Sequence, residues 1–296
     1  MTRQGKAYVY GLTTVLIWST IASAFKISLR YLEPIQLLLY AGSVSTLLLA
    51  VILLVQGKFR LIFHCTRQQY AMSLLLGILN PFLYYLILLQ AYSLLPAQQA
   101  QPLNYTWAIT LALLSVPLLG QKLRLVELGA LLLSYAGVVV IATEGHPFSL
   151  NFSDGTGVVL ALSSTVIWAL YWIYNTRDTR DPVVALLVNF LCSFPFVLGY
   201  CLIFSELVWP PLPGLLGAVY IGFFEMGACY VMWLLALRYA ENAARISSLI
   251  FLAPFLSLFF IHFLVGEEIL PSTFVGLVLI VAGLLWQRVL GSKIAD

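Results

Sequence analysis

The chain has 296 residues, of which 61% are hydrophobic and only 9% are charged, and its formal net charge is +3. Soluble domains carry about 25% charged residues, and the mean hydropathy here is +0.97. This composition excludes an ordinary soluble globular protein and indicates a chain whose solvent is lipid.

Ten apolar stretches follow one another along the chain. Each approaches the ~20 residues that cross a ~30 Å hydrocarbon core at ~1.5 Å per residue. Prolines and charged clusters separate them, and four stretches begin at a proline, where a missing N–H costs little. The predicted spans are residues 7–25, 35–55, 70–92, 97–118, 125–143, 156–175, 183–204, 214–237, 243–265 and 270–288.

The first stretch also has the pattern of a cleavable signal peptide. Arg3 and Lys6 precede the apolar run, and small residues follow it at 22–24. We expect a retained span instead, because Trp18 has an internal counterpart at Trp168 and removal of the run would leave an odd number of spans.

The basic residues are strongly biased to one side of this predicted arrangement. If the side that holds Arg3 is called inside, thirteen of the fifteen Lys and Arg residues fall inside, and only Lys26 and Arg30 fall outside. By the positive-inside rule both termini are cytoplasmic. We expect Lys26 and Arg30 to be solvated at the outer end of span 1, with contact between Lys26 and the mouth of the cavity as the alternative. The inside residues are Arg3, Lys6, Lys58, Arg60, Arg67, Lys122, Arg124, Arg177, Arg180, Arg238, Arg245, Arg288 and Lys293.

The chain repeats itself. Residues 253–287 form an apolar hairpin that matches residues 107–142 at a shift of 146, and residues 12–18 match residues 162–168 at a shift of 150. Internal repeats of this kind fix an architecture.

The repeats define two halves, residues 1–145 and residues 154–290. Because each half has an odd number of spans, the halves insert with opposite orientation. Inverted repeats are typical of transporters that expose one midplane site alternately to each side. We therefore predict an all-α membrane protein of ten helices, built as two inverted five-helix repeats around a central cavity. Small residues at four-residue spacing predict close helix contacts: Ala130 with Ser134, and Ala218 with Gly222.

Several large aromatic and amide side chains lie near the centres of spans rather than at the interfaces where Trp and Tyr usually concentrate. A buried amide in hydrocarbon needs partners or water, so the set predicts a hydrated cavity with flat apolar walls. The alternative is helix packing with internal hydrogen bonds. The candidate substrate-binding residues are Trp18, Asn80, Tyr84, Gln101, Asn104, Tyr105, Trp107, Trp168 and Tyr171, with Ser164, Trp172 and Asn175 on the same stripe of span 6.

Such walls suit a ligand with a ring or an aliphatic side chain. The polar groups among them suit the ammonium and carboxylate of an amino acid, and Trp and Tyr faces also attract an ammonium.

Glu225 is the one acidic residue deep within a predicted span. Carboxylates in membrane spans are costly and by default indicate function, so Glu225 is a candidate for proton coupling. The alternative is a neutral carboxyl group that donates one structural hydrogen bond.

Five prolines also lie inside spans and allow kinks. We predict hinges in spans 3, 4, 8 and 9, with rigid packing kinks as the alternative. The prolines are Pro81, Pro102, Pro117, Pro195 and Pro254.

Sequence motifs of common enzymes and of nucleic-acid-binding proteins are absent. The sequence contains no phosphate-binding loop, HExxH motif, nucleophile elbow or basic nucleic-acid patch. Cys65, Cys192, Cys201 and Cys229 have no disulfide or metal spacing. We therefore expect no enzyme activity, no cofactor, no metal, no nucleic acid and no obligatory protein partner.

The closing hairpin resembles the ending of the ten-span EamA-type proteins of the drug/metabolite transporter superfamily. The resemblance rests on Pro254, the pair Gly266-Glu267, Gly276 and Ala282-Gly283. The first copy departs from it, with Gln121 in place of the usual Glu and Ala108 where a proline is common.

Within that family, the run Asn104-Tyr105-Thr106-Trp107 is similar to the Asn-Tyr-x-Trp run of aromatic amino acid exporters. The resemblance implies export of aromatic and other neutral amino acids across the bacterial cytoplasmic membrane, from a cavity formed by spans 1, 3, 4, 6, 8 and 9. Three alternatives stay open: a drug or metabolite exporter coupled to protons through Glu225, a passive channel, and an intramembrane enzyme, for which no catalytic constellation is present.

Overall fold

A computed structural model of the protein describes residues 2–120, 125–148, 153–175, 177–240, 246 and 249–292. Within these ranges the regular structure is helical, and no β-strand occurs. Some of the predicted features lie outside the described residues: Gln121, Lys122, Arg124, Arg245, Lys293 and most of positions 243–248 at the start of span 9.

The α-helices follow one another with short connections. They are α1 (Arg3–Ser28), α2 (Pro34–Val55), α3 (Arg67–Gly77), α4 (Tyr84–Leu94), α5 (Ala97–Tyr105), α6 (Trp107–Leu119), α7 (Leu125–Ala142), α8 (Gly155–Asn175), α9 (Pro182–Phe204), α10 (Leu212–Tyr220), α11 (Cys229–Tyr239), α12 (Ala253–Phe260) and α13 (Pro271–Ser292). Short 3₁₀ segments cover Phe59–His64 and Leu249–Leu252.

Seven helical stretches in the described residues are long and apolar enough to cross a membrane, and three shorter apolar helices accompany them. All ten fall at the positions of predicted spans. That each one crosses the bilayer stays a prediction. The seven are Arg3–Ser28, Pro34–Val55, Arg67–Leu94, Ala97–Leu119, Gly155–Asn175, Pro182–Phe204 and Leu212–Trp233, and the shorter ones are Gly129–Ala142, Ala253–Val265 and Pro271–Trp286.

Helix geometry is interrupted in the four spans for which we predict hinges. In span 4 the helix is interrupted at Thr106, between α5 and α6. The other three spans contain π-helical segments, which often occur at functional sites. These segments are π1 (Ile78–Leu83) between α3 and α4, π2 (Ile221–Ala228) between α10 and α11, and π3 (Ile261–Val265) after α12.

The interruption in π1 has a local cause. Pro81 cannot donate a backbone hydrogen bond, and the residue before a proline is pushed toward extended backbone. Asn80 accordingly has φ −148° and ψ 121°. A proline alone does not decide the outcome, because Pro117 and Pro195 lie inside uninterrupted helices.

Two antiparallel helices define the two ends of the molecule. The Lys58 ammonium, just after α2, lies 2.6 Å from the Asp181 carboxylate, just before α9. At the opposite end the Gln36 amide, in the first turn of α2, donates to the Glu206 carbonyl oxygen, just after α9, at 2.8 Å. Because α1 runs into α2 through a short connection, Lys26 lies at this second end. We call the two ends the Arg180 end and the Lys26 end.

The repeated glycines of the hairpin lie where α7 crosses α13. A Cβ atom on Gly137 would clash with the carbonyl oxygen of Gly276, and one on Gly276 would lie 2.6 Å from the carbonyl oxygen of Gly137. Ser134 donates a hydrogen bond to the Ile280 carbonyl oxygen at 3.2 Å across the same crossing. Small residues therefore let the two backbones meet. Gly222 does the same against the Ala41 carbonyl oxygen of α2.

Candidate functional site

A cavity of about 250 Å³ lies at the centre of the helix bundle. This volume is near the lower end of the ~300–1,000 Å³ typical of small-molecule sites. The walls come from α1, α4, α5, α6, α8, α9, π2, α11 and the 3₁₀ segment Leu249–Leu252, which belong to seven of the predicted spans. Nine predicted site residues line it: Trp18, Tyr84, Gln101, Asn104, Tyr105, Trp107, Trp168, Tyr171 and Glu225.

Trp168 is the centre of an aromatic cluster on one wall of this cavity. Its ring stacks on Tyr84 with centroids 4.5 Å apart and on Tyr171 at 5.6 Å. Three further rings meet it edge-on, those of Trp107, Trp172 and Tyr230. Offset stacking and edge contacts are the arrangements that aromatic rings favour. The cluster therefore presents a rigid, flat, apolar surface drawn from four different helices.

A second pair of aromatic rings lines the cavity, one from α1 and one from α11. Trp18 and Trp233 lie 5.4 Å apart with their planes tilted by 47°. Trp233 is not among the predicted residues, because it lies close to the end of its span, where a tryptophan is usually interfacial. Its spacing from Tyr230, one helical turn earlier, is the signal that would have found it.

The two amides of α5 behave differently. The Asn104 amide is already satisfied, since its oxygen accepts from the Tyr84 hydroxyl at 3.3 Å and its nitrogen donates to Ser164 Oγ at 3.0 Å. Gln101 is buried, and its side-chain oxygen has no hydrogen-bond partner among the described residues. Asn104 therefore links α4, α5 and α8 through hydrogen bonds. The Gln101 side-chain oxygen is available to accept a hydrogen bond from a ligand.

Glu225 lies in π2 and faces the same cavity. Its Oε1 accepts a hydrogen bond from the Tyr85 hydroxyl at 3.1 Å. Within the described part of the chain no lysine, arginine or histidine forms an ion pair with it. The carboxyl group is thus held by a neutral donor and faces the cavity without a countercharge.

Asn80, which the sequence predicts as a substrate-binding residue, is not among the residues that line the cavity. It is 1% exposed, and its side-chain oxygen has no partner among the described residues. The prediction placed Asn80 one helical turn before Tyr84 on a regular helix. The extended backbone at Asn80 breaks that regularity.

The cavity extends to the Arg180 end, where Asp178 and Arg180 line it. The Arg180 guanidinium donates to both carboxylate oxygens of Asp178, with a shortest distance of 2.6 Å, and also to Ser73 Oγ of α3 at 2.6 Å. Burial by itself raises the pKa of the Asp178 carboxyl, but the hydrogen bonds and charge of Arg180 outweigh it and hold the pKa below its usual value. The pair is therefore ionised and ties the α8–α9 connection to α3.

Lys26 is not the solvated residue that the sequence predicts. Its ammonium is partly buried and donates to the carbonyl oxygens of Tyr92 and Leu95, at 2.8 and 2.6 Å. The carbonyls at the C-terminal end of α4 attract a cation. Lys26 therefore binds the C-terminal end of α4 at the Lys26 end of the molecule, and it is not among the residues that line the cavity.

No metal site accompanies the cavity. In the described residues no group of three or more His, Cys, Asp or Glu side chains has a metal-binding arrangement, and the four cysteines are free thiols. The residues that line the cavity offer aromatic stacking, hydrogen bonding, the Glu225 carboxyl group and the ion pair of Asp178 and Arg180.

Comparison of the sequence with known proteins finds relatives that are named transporters. An uncharacterized transporter of Bacillus subtilis, YvbV, is 26% identical over 275 residues, covering 91% of this chain and 87% of its own. The aromatic amino acid exporter YddG of Ancylobacter novellus is 24% identical over 256 residues, covering 86% of this chain and 87% of its own. The inner membrane transporter YhbE of Escherichia coli K12 is 22% identical over 265 residues, covering 86% and 80%.

The fold also has a counterpart among solved structures. One crystal structure matches with a TM-score of 0.69 and 22% sequence identity over 99% of both chains, a likeness that concerns the fold alone. The model of the EamA-like transporter family matches residues 5–143 and 155–287. The chain is thus a multi-pass membrane transporter, and it belongs to the EamA-like transporter family.

Proposed function

We propose that this transporter exports aromatic and other neutral amino acids from the cytoplasm by alternating access. The observation that carries the proposal is the cavity, whose lining combines the stacked wall of Tyr84, Trp168 and Tyr171 with two acceptor groups. These are the Gln101 side-chain oxygen, which has no partner among the described residues, and the Glu225 carboxyl group. A planar side chain gains stacking and apolar burial against such a wall. An ammonium gains a carboxylate and aromatic faces.

The name of the YddG relative adds support, since that protein is an aromatic amino acid exporter. We assign the substrate contacts to Trp18, Gln101, Tyr105, Trp107, Trp168 and Tyr171. Tyr84 and Asn104 hold the wall in place through their mutual hydrogen bond and contribute to the same surface.

The transport cycle that we propose uses two inverted five-helix repeats, residues 1–145 and 154–290. The repeat makes two of the interrupted spans equivalent, because π1 and π2 lie in spans 3 and 8, the third span of each half. With both termini in the cytoplasm, the Arg180 end is the inner end and the Lys26 end is the outer end. The host membrane is the bacterial inner membrane, as for YhbE.

The test is uptake of a panel of labelled amino acids into liposomes that contain the purified protein, with and without a pH gradient. We expect tryptophan, phenylalanine and tyrosine to be transported fastest, and labelled substrate to show counterflow against unlabelled substrate. Absence of uptake for every aromatic amino acid would reject the substrate class. A continuous single-channel current without counterflow would reject the carrier.

A second candidate is favoured by Glu225, whose carboxyl group lines the cavity and forms no ion pair with the described residues. In that case the protein exports amphipathic drugs or other metabolites and couples export to proton movement through Glu225. Intramembrane carboxylates commonly carry protons in transporters. Drug-dependent proton release from loaded liposomes, together with no amino acid uptake, would favour this candidate over the first.

A further inference from the structure

The connection between α4 and α5 is held at the Lys26 end of the molecule. It consists of Leu95 and Pro96. On the α4 side, the Lys26 ammonium donates to the carbonyl oxygens of Tyr92 and Leu95 at 2.8 and 2.6 Å. The last carbonyls of a helix lack intrahelical partners and carry partial negative charge. Lys26 of α1 therefore satisfies the end of α4.

On the other side, Glu267 satisfies the start of α5. The backbone N–H groups of Ala97 and Gln98 donate to its two carboxylate oxygens, at 2.8 and 3.1 Å. Pro96, which precedes the helix, supplies no side-chain cap. A carboxylate at a helix N-terminus makes charge-assisted hydrogen bonds and complements the helix dipole. This cap comes from the α12–α13 connection, about 170 residues away in the sequence.

Further bonds join the same two segments. The Gln98 amide donates to the Glu268 carbonyl oxygen at 2.7 Å, and its oxygen accepts from the Leu270 N–H at 2.8 Å and from Thr273 Oγ1 at 3.1 Å. The first turn of α5 is thus bonded to the second half of the chain through both backbone and side chains. The cavity, by contrast, extends to Asp178 and Arg180 at the opposite end.

We propose that Glu267 is the latch of the outer gate, and that its carboxylate must leave the N-terminus of α5 before the cavity becomes accessible from the Lys26 end. This inference rests on the proposed alternating access. Opening at this end requires the α4–α5 connection to separate from the α12–α13 connection, and the carboxylate is the charged bond between them. Helix α5 also carries Gln101 and Tyr105, about one and two turns after the N–H groups that Glu267 caps. A movement of α5 that follows substrate binding at these residues therefore changes the position of the capped N-terminus.

The test measures access to the cavity directly. Val231 lines the cavity and is only partly buried, so Val231→Cys, in a protein whose four native cysteines are replaced by serine, reports access to a membrane-impermeant maleimide. Right-side-out and inverted membrane vesicles expose the two ends in turn. With Glu267 intact we expect labelling mainly from the Arg180 end. Equal labelling from both ends would overturn the proposal.

The latch variant is Glu267→Gln, which keeps the shape of the side chain and removes its charge. We expect labelling from the Lys26 end to rise about ten-fold, because hydrogen bonds to a charged acceptor contribute more than neutral ones. The matched control is Glu268→Gln. It removes the same charge from the neighbouring residue, of which only the backbone oxygen bonds Gln98, and we expect no change in labelling.

Unchanged labelling in Glu267→Gln, or an equal rise in both variants, would overturn the proposal. Should Glu267→Gln fail to reach the membrane, Gln98→Ala tests the same junction by removing the bonds to Glu268, Leu270 and Thr273. Increased labelling from the Lys26 end is again expected, and unchanged labelling again overturns the latch. The assay uses no substrate, so an altered label pattern in a protein that moves no amino acid would retain the latch and reject only the substrate class.

Discussion

The rings of Tyr84 and Trp168 stack with their centroids 4.5 Å apart, across the two halves of the chain. Tyr84 begins α4 immediately after the π1 segment, and Trp168 lies in the middle of α8. The Tyr84 hydroxyl also donates to Asn104, which in turn donates to Ser164 one turn before Trp168. One stacked pair and two hydrogen bonds thus fix the aromatic wall from three helices.

Removal of the Trp168 ring is expected to impair transport of aromatic amino acids. In Trp168→Ala a substrate ring loses its stacking partner, and the neighbouring rings lose their common support. An aromatic pair contributes ~0.5–1.5 kcal/mol beyond its buried area, so we expect kcat/KM for tryptophan uptake to fall about 2- to 13-fold. Uptake of labelled tryptophan into proteoliposomes measures it.

Two variants test whether this effect is specific. Trp168→Phe keeps a ring and should lose less than Trp168→Ala. Trp209→Ala changes a tryptophan that is 84% exposed and far from the cavity, and should transport normally. A Trp168→Ala protein with normal tryptophan uptake would mean that the cluster is only a packing element.

Glu225→Gln is expected to separate transport from the proton gradient, if the protein is proton-coupled. The substitution keeps the shape and removes the titratable group that accepts from Tyr85. The ratio of uptake with and without a pH gradient should fall to about one, because a group that cannot ionise cannot carry a proton. Proteoliposomes with a pH jump, with and without a proton ionophore, measure this ratio.

The control for Glu225 is Glu206→Gln, at an exposed position in the α9–α10 connection, which should keep the response of the native protein. Unchanged transport in Glu225→Gln, with an unchanged response to the ionophore, would leave Tyr85 and Glu225 as a structural hydrogen bond.

Much of the fold follows from apolar length alone. Each described apolar helix lies where the sequence predicts a span, since length and hydropathy are local properties. The repeated glycines likewise mark the crossing of α7 and α13, because only a residue without Cβ permits that approach. The π1 segment is less predictable. Pro81 interrupts its helix whereas Pro195 does not, and the difference depends on tertiary surroundings that periodicity does not contain.

Site residues that are recognised by their depth within a span could be predicted from the sequence. Features that depend on local backbone geometry or on contacts between distant residues were less predictable. Mid-span aromatic residues such as Trp168 reached the cavity wall. The helical periodicity that groups Asn80 with Tyr84 does not show the extended backbone at Asn80. Lys26 was assigned to solvent because the sequence does not show that the end of α4 lies beside it. Arg180 was used only in the count of inside charges, and Asp178 was not singled out.

Gly276 is expected to be intolerant of any added side chain. In Gly276→Val the new carbons would meet the Gly137 carbonyl oxygen and Ile141, and forcing such groups into a packed interface costs about 1–3 kcal/mol. We expect a melting temperature in detergent lower by about 3–10 °C. Gly199→Ala, at a position with nothing within 4 Å of a new Cβ, should melt close to the native protein. Equal melting of Gly276→Val and the native protein would contradict the crossing of α7 and α13.

The ion pair of Asp178 and Arg180 is expected to stabilise the protein above acidic pH. Its side chains are 6% exposed each, and the pKa of the Asp178 carboxyl lies below its usual value. A carboxyl whose folded pKa is lowered contributes stability that is complete above its unfolded pKa of ~3.9 and is lost as the pH falls through the folded pKa. Below that pH the protonated carboxyl no longer holds the guanidinium.

Asp178→Asn should therefore melt at a lower temperature than the native protein at pH 7, and the difference should shrink as the pH falls below ~4. Breaking a fully buried pair costs ~3–5 kcal/mol. This site borders the aqueous loops, so solvent screening reduces the effect to about 1–2 kcal/mol, or about 2–6 °C. Lys58→Met breaks the pair with Asp181, in which the lysine side chain is 44% exposed, and should change the melting temperature by less. Fluorescence-monitored melting in detergent from pH 3 to pH 8 gives both comparisons. A melting difference between Asp178→Asn and the native protein that stays constant over this range would show that the carboxylate charge does not contribute.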